Sequence, residues 1–403
     1  MSETNRLPKL QSSEDAQAEE VKKRAEEVRK FLLDPREDYP EPYYMLEYNG
    51  VPFSTIGGIQ AISGQKKNGK TFVLAQLMAA ILGDDCERVS HYLPGLRVPD
   101  RTVEYLDHVR RPDLSDEERE KNPYKPSVLY VDTEMEKLNS AKVLRRVHWL
   151  CDWKMKEPNP RFHVLWLKNM PPDDAEKAHV KRWRLIKQAI EVVKPDIVFV
   201  DGIRDLLSSI NDEEQGTMIL AEMGYMAEQR HICIWNALHQ NPRADEESKM
   251  RGWIGTELGN KVSDTLVSIK KKDATGVTFT VKQQDARGKD LDDWKFEVTE
   301  DAGNLGVPRI TNYGTNLPSK SKEQEGDNPD DIIQWLNQAQ DLYEWPMSRN
   351  DIKKKIFGEI GGQKNNDKTA ADLKIAMNMG WLVESTMKKN GAYMLELAEV
   401  LPF

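Results

Sequence analysis

Residues 64–71 read Gly-Gln-Lys-Lys-Asn-Gly-Lys-Thr, directly after the apolar run 59–62 and directly before the apolar stretch 72–82. No other feature of the chain restricts its fold as tightly. Glycines near both ends let the backbone curl until successive N–H groups face inward. A strand before the curl and a buried helix after it make it a phosphate cradle at a helix N-terminus. The plain alternative is a surface turn ahead of a core helix, and the flanking pattern favours the cradle. In that cradle Gly64, Gln65, Lys66, Lys67, Asn68, Gly69, Lys70 and Thr71 surround the phosphates of a nucleotide. The Lys70 ammonium reaches the β- and γ-phosphates, and the Thr71 hydroxyl ligates Mg²⁺.

Downstream, short apolar runs alternate with helical stretches as far as residue 313, the mark of an α/β fold whose parallel sheet carries helices on its faces. Strands are expected at 59–63, 127–132, 162–167, 196–201 and 231–238. An antiparallel pair at 265–270 and 276–282, joined through Asp273-Ala274-Thr275-Gly276, and an edge strand at 294–298 complete the sheet. Residues 87–126 form a charged, proline-containing segment longer than a connection needs, which makes it an ornament or a lid. Ahead of the core, residues 12–33 place Val21, Ala25, Val28 and Leu32 on one narrow helical stripe. Such a helix is either peripheral to its own domain or an arm onto a neighbouring subunit.

A linker composition at 314–330 separates this core from helices expected at 331–344, 349–358 and 368–379 and a hairpin turning at Lys388-Lys389-Asn390-Gly391. Three helices and a hairpin in that order suggest a winged helix. The expected domains are an N-terminal helix and linker (1–45), a nucleotide-binding α/β domain (46–313), the linker (314–330) and a winged-helix-like domain (331–403). In a winged helix the third helix enters a duplex groove and the wing touches the backbone, roles for which Lys368, Lys374, Lys388 and Lys389 are placed. Residues 330–403 contain 9 Lys/Arg against 11 Asp/Glu, so protein docking is the competing role.

A formal charge of −9 over 403 residues argues against a surface coated in cations, while leaving room for a local basic channel. Cys86, Cys151 and Cys233 lie far apart and form no Cys/His cluster of zinc spacing, so reduced thiols, a cytoplasmic setting and no structural metal are expected. The first residues lack the apolar core of a signal peptide, and no run approaches the roughly 18 apolar residues of a membrane span.

Hydrolysis needs more than a cradle: an acid for Mg²⁺, a group that positions water, and a cation for the charge at the γ-phosphate. Asp201 ends the apolar run 197–201, the place of an acid that holds Mg²⁺ at the carboxyl end of a sheet strand. Glu134 follows the strand that ends Asp132-Thr133 and suits a general base, with Asp132 and Glu136 as rivals and helix capping as the structural alternative for each.

In this order the elements resemble the RecA-like ATPase core shared by RecA, the DnaB and RepA replicative helicases and KaiC, over roughly residues 50 to 300. The segments Val200-Asp201-Gly202-Ile203-Arg204-Asp205-Leu206 and Arg251-Gly252-Trp253-Ile254-Gly255-Thr256-Glu257-Leu258 resemble, more narrowly, RepA-like AAA-family ATPases of Bacteroidetes and their mobile elements. The resemblance implies that Glu134 is the catalytic glutamate and that Gln240 senses the γ-phosphate, with His239 beside it a packed residue. It implies DNA-contacting loops at 208–217 and 242–256, the second offering Lys249 and Arg251, whereas the first is acidic at Asp212, Glu213 and Glu214. It implies a cation acting on a neighbour's γ-phosphate, Arg287 before Lys282, because a guanidinium engages two oxygens and stays charged.

The leading expectation is an ATP- and Mg²⁺-dependent ATPase acting on single- or double-stranded DNA as a homo-oligomer, a hexamer, with ATP between subunits. The alternative is an ATP-switched regulatory or loader protein without motor activity. A P-loop kinase of a small molecule is a third reading, which the strand order and Gln240 disfavour.

Overall fold

The computed structural model describes residues 13–29, 31–83, 85–171, 173–241, 250–273, 276–286, 288–312, 329–363, 366–378, 381–389 and 392–398. The chain divides into two compact units, Met1–Thr311 and Asn312–Phe403.

The first unit opens with α1 (Ser13–Arg29), followed by a hairpin of β1 (Tyr44–Tyr48) and β2 (Val51–Thr55). Strand β3 (Ile59–Gly64) leads through the glycine loop into α2 (Lys70–Leu82). Then come α3 (Glu87–Tyr92), the short strand β4 (Leu96–Arg97), α4 (Asp100–Arg110) and α5 (Asp116–Lys121). Strands and helices next alternate as β5 (Val128–Asp132), α6 (Lys137–Leu150), β6 (Phe162–Trp166), α7 (Ala178–Val193), β7 (Ile197–Asp201), α8 (Glu213–Arg230) and β8 (Cys233–His239). Helix α9 (Gly252–Lys261) precedes β9 (Asp264–Asp273), β10 (Gly276–Ala286), β11 (Trp294–Thr299) and β12 (Val307–Ile310).

Nine strands form one sheet in the order β12-β11-β10-β9-β3-β8-β7-β5-β6. It is parallel from β9 to β6 and antiparallel from β9 to β12. Strands β3, β5 and β7 are buried at every position, which is why they read as unbroken apolar runs rather than alternating ones. Side chains still alternate between faces: Ile197 and Phe199 join one core cluster, with Leu74 and Leu77 of α2 and Val143 and Val147 of α6. Val198 and Val200 join the other, with Ile186 of α7, Met223 of α8 and Ile254 of α9. Burying each such side chain stabilises the fold by about 1.5–3 kcal/mol relative to leaving it exposed.

The segment 87–126 is an ornament fastened away from the phosphate loop. Its strand β4 extends the β1–β2 hairpin into a second sheet, and Thr102 Oγ1 donates to Tyr44 O at 2.7 Å. Arg110 Nε donates at 2.8 Å to the fully buried Asp196, which also accepts from Tyr124 OH and Ser127 N. Asp196 immediately precedes β7, so this clamp sits at the amino ends of the strands, opposite the loop. Among the described residues every position of α1 from 17 onward is exposed, Val21 and Val28 included, so its stripe does not pack on its own domain as a peripheral helix would. Strand β11 covers the expected 294–298, but β12 pairs beyond it and is the edge.

The second unit comprises α10 (Pro329–Leu342), α11 (Arg349–Asp351), which runs on π-helically over Ile352–Ile360, α12 (Asn366–Asn378) and a hairpin of β13 (Leu382–Lys389) and β14 (Ala392–Leu397). Ser348 caps α11 by accepting from Asp351 N at 3.1 Å. Ile332, Leu336, Ile356, Phe357 and Leu395 belong to a core of its own. Most of the linker, residues 313–328, lies outside the described residues. No helix among the described residues is long and apolar enough to cross a membrane.

Candidate nucleotide-binding site

The glycine loop sits at the carboxyl end of the central strand β3, hemmed in by β9 and β10. A Cβ on Gly64 would fall 2.7 Å from Ser268 O, and one on Gly69 would fall 2.6 Å from the Phe279 ring. Gly69 also has φ +85°, a conformation that side chains rarely adopt. Neighbouring strands therefore demand glycine at both positions. Gly69 offers α2 no side-chain cap, and the first turn carries no acid, so the positive end of the helix is open to an anion. Lys67, Asn68, Gly69, Lys70 and Thr71 line a cleft of about 300 Å³ at this point. Lys66 is exposed and Gln65 half-buried beside them.

Two acids face the loop across the cleft. Asp201 is buried at the end of β7, one strand removed from β3, and accepts from Tyr130 OH at 2.9 Å and Thr71 Oγ1 at 3.3 Å. Burial, with Glu134 and Asp132 nearby, pushes its carboxyl up to about 6. A hydroxyl and a carboxylate side by side suit Mg²⁺, which takes one or two protein oxygens and otherwise phosphate oxygens and water. Lys70 is buried, and its ammonium donates to Gly64 O at 3.1 Å, to Gln65 O at 3.4 Å and to His239 Nδ1 at 2.9 Å. Desolvation lowers its proton affinity, while Asp201 and Glu134 oppose that shift.

Glu134 lines the cleft, whereas its rivals are occupied elsewhere. Asp132 Oδ1 accepts from the N–H groups of Glu134 and Met135 at 3.0 and 2.9 Å, and Ser140 Oγ donates to its other oxygen. Glu136 precedes α6 and pairs with Lys168 at 2.6 Å. Gly202 has φ +109°, and a Cβ there would overlap Thr133 Oγ1 and fall 2.7 Å from Glu134 Cγ. The residue after Asp201 thus leaves the room Glu134 occupies.

His239 joins the two halves of the site. Its Nε2 lies 3.3 Å from Glu134 Oε2 while Nδ1 meets Lys70. Because an ammonium can only donate, Nδ1 accepts and the proton resides on Nε2, aimed at the carboxylate. That hydrogen bond, ahead of the opposing burial, holds the Glu134 carboxyl below its ordinary range. His239, expected to be packed, instead lines the cleft. The next residue, Gln240, is buried, donates from Nε2 to Ser63 Oγ at 3.3 Å, and is not among the cleft's lining residues. Lys270 and Phe279, which sequence reasoning did not single out, form the opposite flank.

The remaining expected positions are dispersed. Lys249 and Arg287 lie outside the described residues. Arg251 is exposed at the start of α9, and its N–H donates to His239 O at 2.9 Å, while Met250 bridges back to Gln240. Lys282 lies 4.0 Å from Asp293. Asp212 accepts from Gln215 N at 3.0 Å as the cap of α8, and Glu213 and Glu214 form its first turn. Their acidity complements the helix dipole. In the second unit Lys368 and Lys374 lie on α12, and Lys388 and Lys389 end β13 beside the hairpin turn.

No protein-family model matches this sequence, and no curated protein matches it. Among solved structures, a KaiC-like protein from the hyperthermophilic archaeon Pyrococcus horikoshii OT3 matches at 10% identity and a TM-score of 0.39, over 67% of this chain and 99% of that one. The architecture itself is α/β, with a large sheet that is mostly parallel and the glycine loop at the end of a central strand. What the site can do follows from its own residues.

Proposed function

We propose that this chain is a Mg²⁺-dependent ATPase of RecA and RepA type that acts on DNA as a homo-oligomer, in replication or in mobilisation of genetic elements. The observation that carries the reading is the convergence of Lys70, Thr71, Asp201 and Glu134 on one cleft at the open end of α2. Lys70 exchanges two carbonyls and His239 Nδ1 for phosphate oxygens. Thr71 and Asp201 would hold Mg²⁺, which would supply positive charge against the phosphates. Glu134, kept ionised by His239, orients a water and takes its proton as the oxygen bonds to the γ-phosphorus and the bond to ADP breaks.

Coupling to DNA is supported by the loop that leaves β8 after Gln240 and returns at Met250. Its base is tied through Arg251 N to His239, the residue that touches both Lys70 and Glu134. Lys249 and Arg251 are its proposed phosphate contacts, with Lys368, Lys374, Lys388 and Lys389 as contacts of a winged helix. Arg287 of one subunit would serve the γ-phosphate of the next in a hexameric ring, with the interfacial ATP sensed by Gln240 through its hydrogen bond at Ser63.

A second reading, an ATP-switched regulator or loader, is favoured by Asp212, Glu213 and Glu214 starting a helix where a DNA grip would need cations. Turnover measured with no DNA, single strands and duplex separates the two. The motor reading expects several-fold stimulation and ATP-dependent strand displacement; turnover unmoved by any DNA removes it. Arg287→Ala subunits should regain activity when mixed with Lys70→Ala subunits, and absence of rescue would exclude action across an interface.

A further inference from the structure

Strand β9 outlasts the strand it pairs with. It runs parallel to β3 through Ala61↔Thr265, Ile62↔Leu266 and Ser63↔Val267; β3 then ends at Gly64, whereas β9 continues to Asp273. The continuation stands against the phosphate loop, where Ser268 Oγ donates to Asn68 O and Ser268 O closes on Gly64. Side chains two apart on a strand share a face, so Lys270 follows Ser268 toward the loop, and it lines the cleft. Its ammonium lies 5.7 Å from the centroid of Phe279, the residue opposite it on β10. Among the described residues no carboxylate lies within ion-pairing distance of that ammonium.

The two flanks of the cleft therefore differ in charge. On the β7 and β8 side stand Asp201, Glu134 and His239, the groups suited to Mg²⁺, water and the terminal phosphate. On the β9 side stands a cation held over an aromatic ring. Resting on the proposed ATP site, we infer that Lys270 is a second phosphate-binding cation of the same subunit, acting on the phosphates nearer the nucleoside. Lys70 serves the end of the phosphate chain that is cleaved, and Lys270 the part that remains after cleavage. ADP and ATP thus depend on Lys270 alike, and its contact is the same before and after hydrolysis, a binding contribution that lowers Kd and KM without raising kcat.

The test is calorimetric titration of the full chain with Mg·ADP and with a non-hydrolysable Mg·ATP analogue, alongside turnover. Lys270→Gln should weaken both nucleotides by about tenfold and raise KM with kcat unchanged, and Lys270→Arg should restore most of the affinity. Lys272→Gln, an exposed lysine of the same strand that does not line the cleft, should leave affinity unchanged. Unchanged ADP affinity in Lys270→Gln overturns the inference, as does equal weakening by Lys272→Gln, which would mark a general field effect. A wild-type chain that binds neither nucleotide instead removes the ATP site on which the inference rests.

Discussion

Replacing Gly202 by alanine should damage both the fold and the reaction, through one methyl group. The backbone there has φ +109°, and holding a residue with a Cβ in so sparsely populated a region costs about 1–3 kcal/mol. The new Cβ would overlap Thr133 Oγ1 and lie 2.7 Å from Glu134 Cγ. Relief requires Thr133 to move, yet its hydroxyl donates to Asp201 O at 3.2 Å and to Gly202 O at 3.0 Å. The single hydroxyl proton shared between those carbonyls contributes about 0.5–1.5 kcal/mol, so the total destabilisation is about 1.5–4.5 kcal/mol. Urea unfolding followed by tryptophan fluorescence measures it. Turnover should fall with it while Mg²⁺-free ADP affinity, which depends on a loop from a different strand, is largely retained. Gly224→Ala is the control: Gly224 lies inside α8 with no atom within 4 Å of an added Cβ, and alanine there should stabilise by about 0.5–1 kcal/mol. A Gly202→Ala protein with the wild-type urea midpoint and normal turnover would refute the reasoning from φ and close contact.

Glu134→Gln should keep ATP binding and lose about 10²–10⁴-fold in turnover, whereas Lys70→Ala should lose binding; normal hydrolysis by Glu134→Gln would mean another group positions the water. His239→Ala removes the donor that keeps the Glu134 carboxyl low, so the acid limb of the rate–pH profile should move to higher pH, and an unmoved limb would show that His239 does not set the ionisation of Glu134. In nucleotide-free, EDTA-treated protein, burial holds the Asp201 carboxyl at about 6 against an ordinary value of 3.8. Between those values the folded state binds more protons than the unfolded one, so Asp201 makes stability rise as pH falls from 6 toward 4. Asp201→Asn should therefore stabilise the nucleotide-free protein at neutral pH by about 2–3 kcal/mol while abolishing Mg²⁺-dependent ATP affinity; a loss of stability would contradict this.

The amino-acid sequence alone determined the features that local chemistry encodes. The loop from Gly64 to Thr71 is legible because its glycines and lysine are contiguous and its flanks are apolar over whole elements. The alternation of strands and helices is legible because the buried strands repeat as unbroken apolar runs, and Asp201 stands out by ending one of them. Strands such as β1, β2 and β12, whose buried positions are interrupted by exposed or partly exposed ones, carry no such signal and emerge only from their pairing.

Tertiary structure decided which of several neighbouring polar residues faces the cleft. Asp132 and Glu134 are two positions apart, yet Asp132 accepts from the N–H groups of Glu134 and Met135 while Glu134 lines the site, in room left by the missing Cβ of Gly202 at the end of a separate strand. His239 and Gln240 are adjacent, and the pairing of Gly64 with His239 sends the histidine to Lys70 and the glutamine to Ser63. Lys270 is one of three consecutive lysines in the sequence, and only the overhang of β9 past β3 brings it to the loop. A period of two tells which side chains share a face, but the identity of that face is set by the register between strands far apart in the chain.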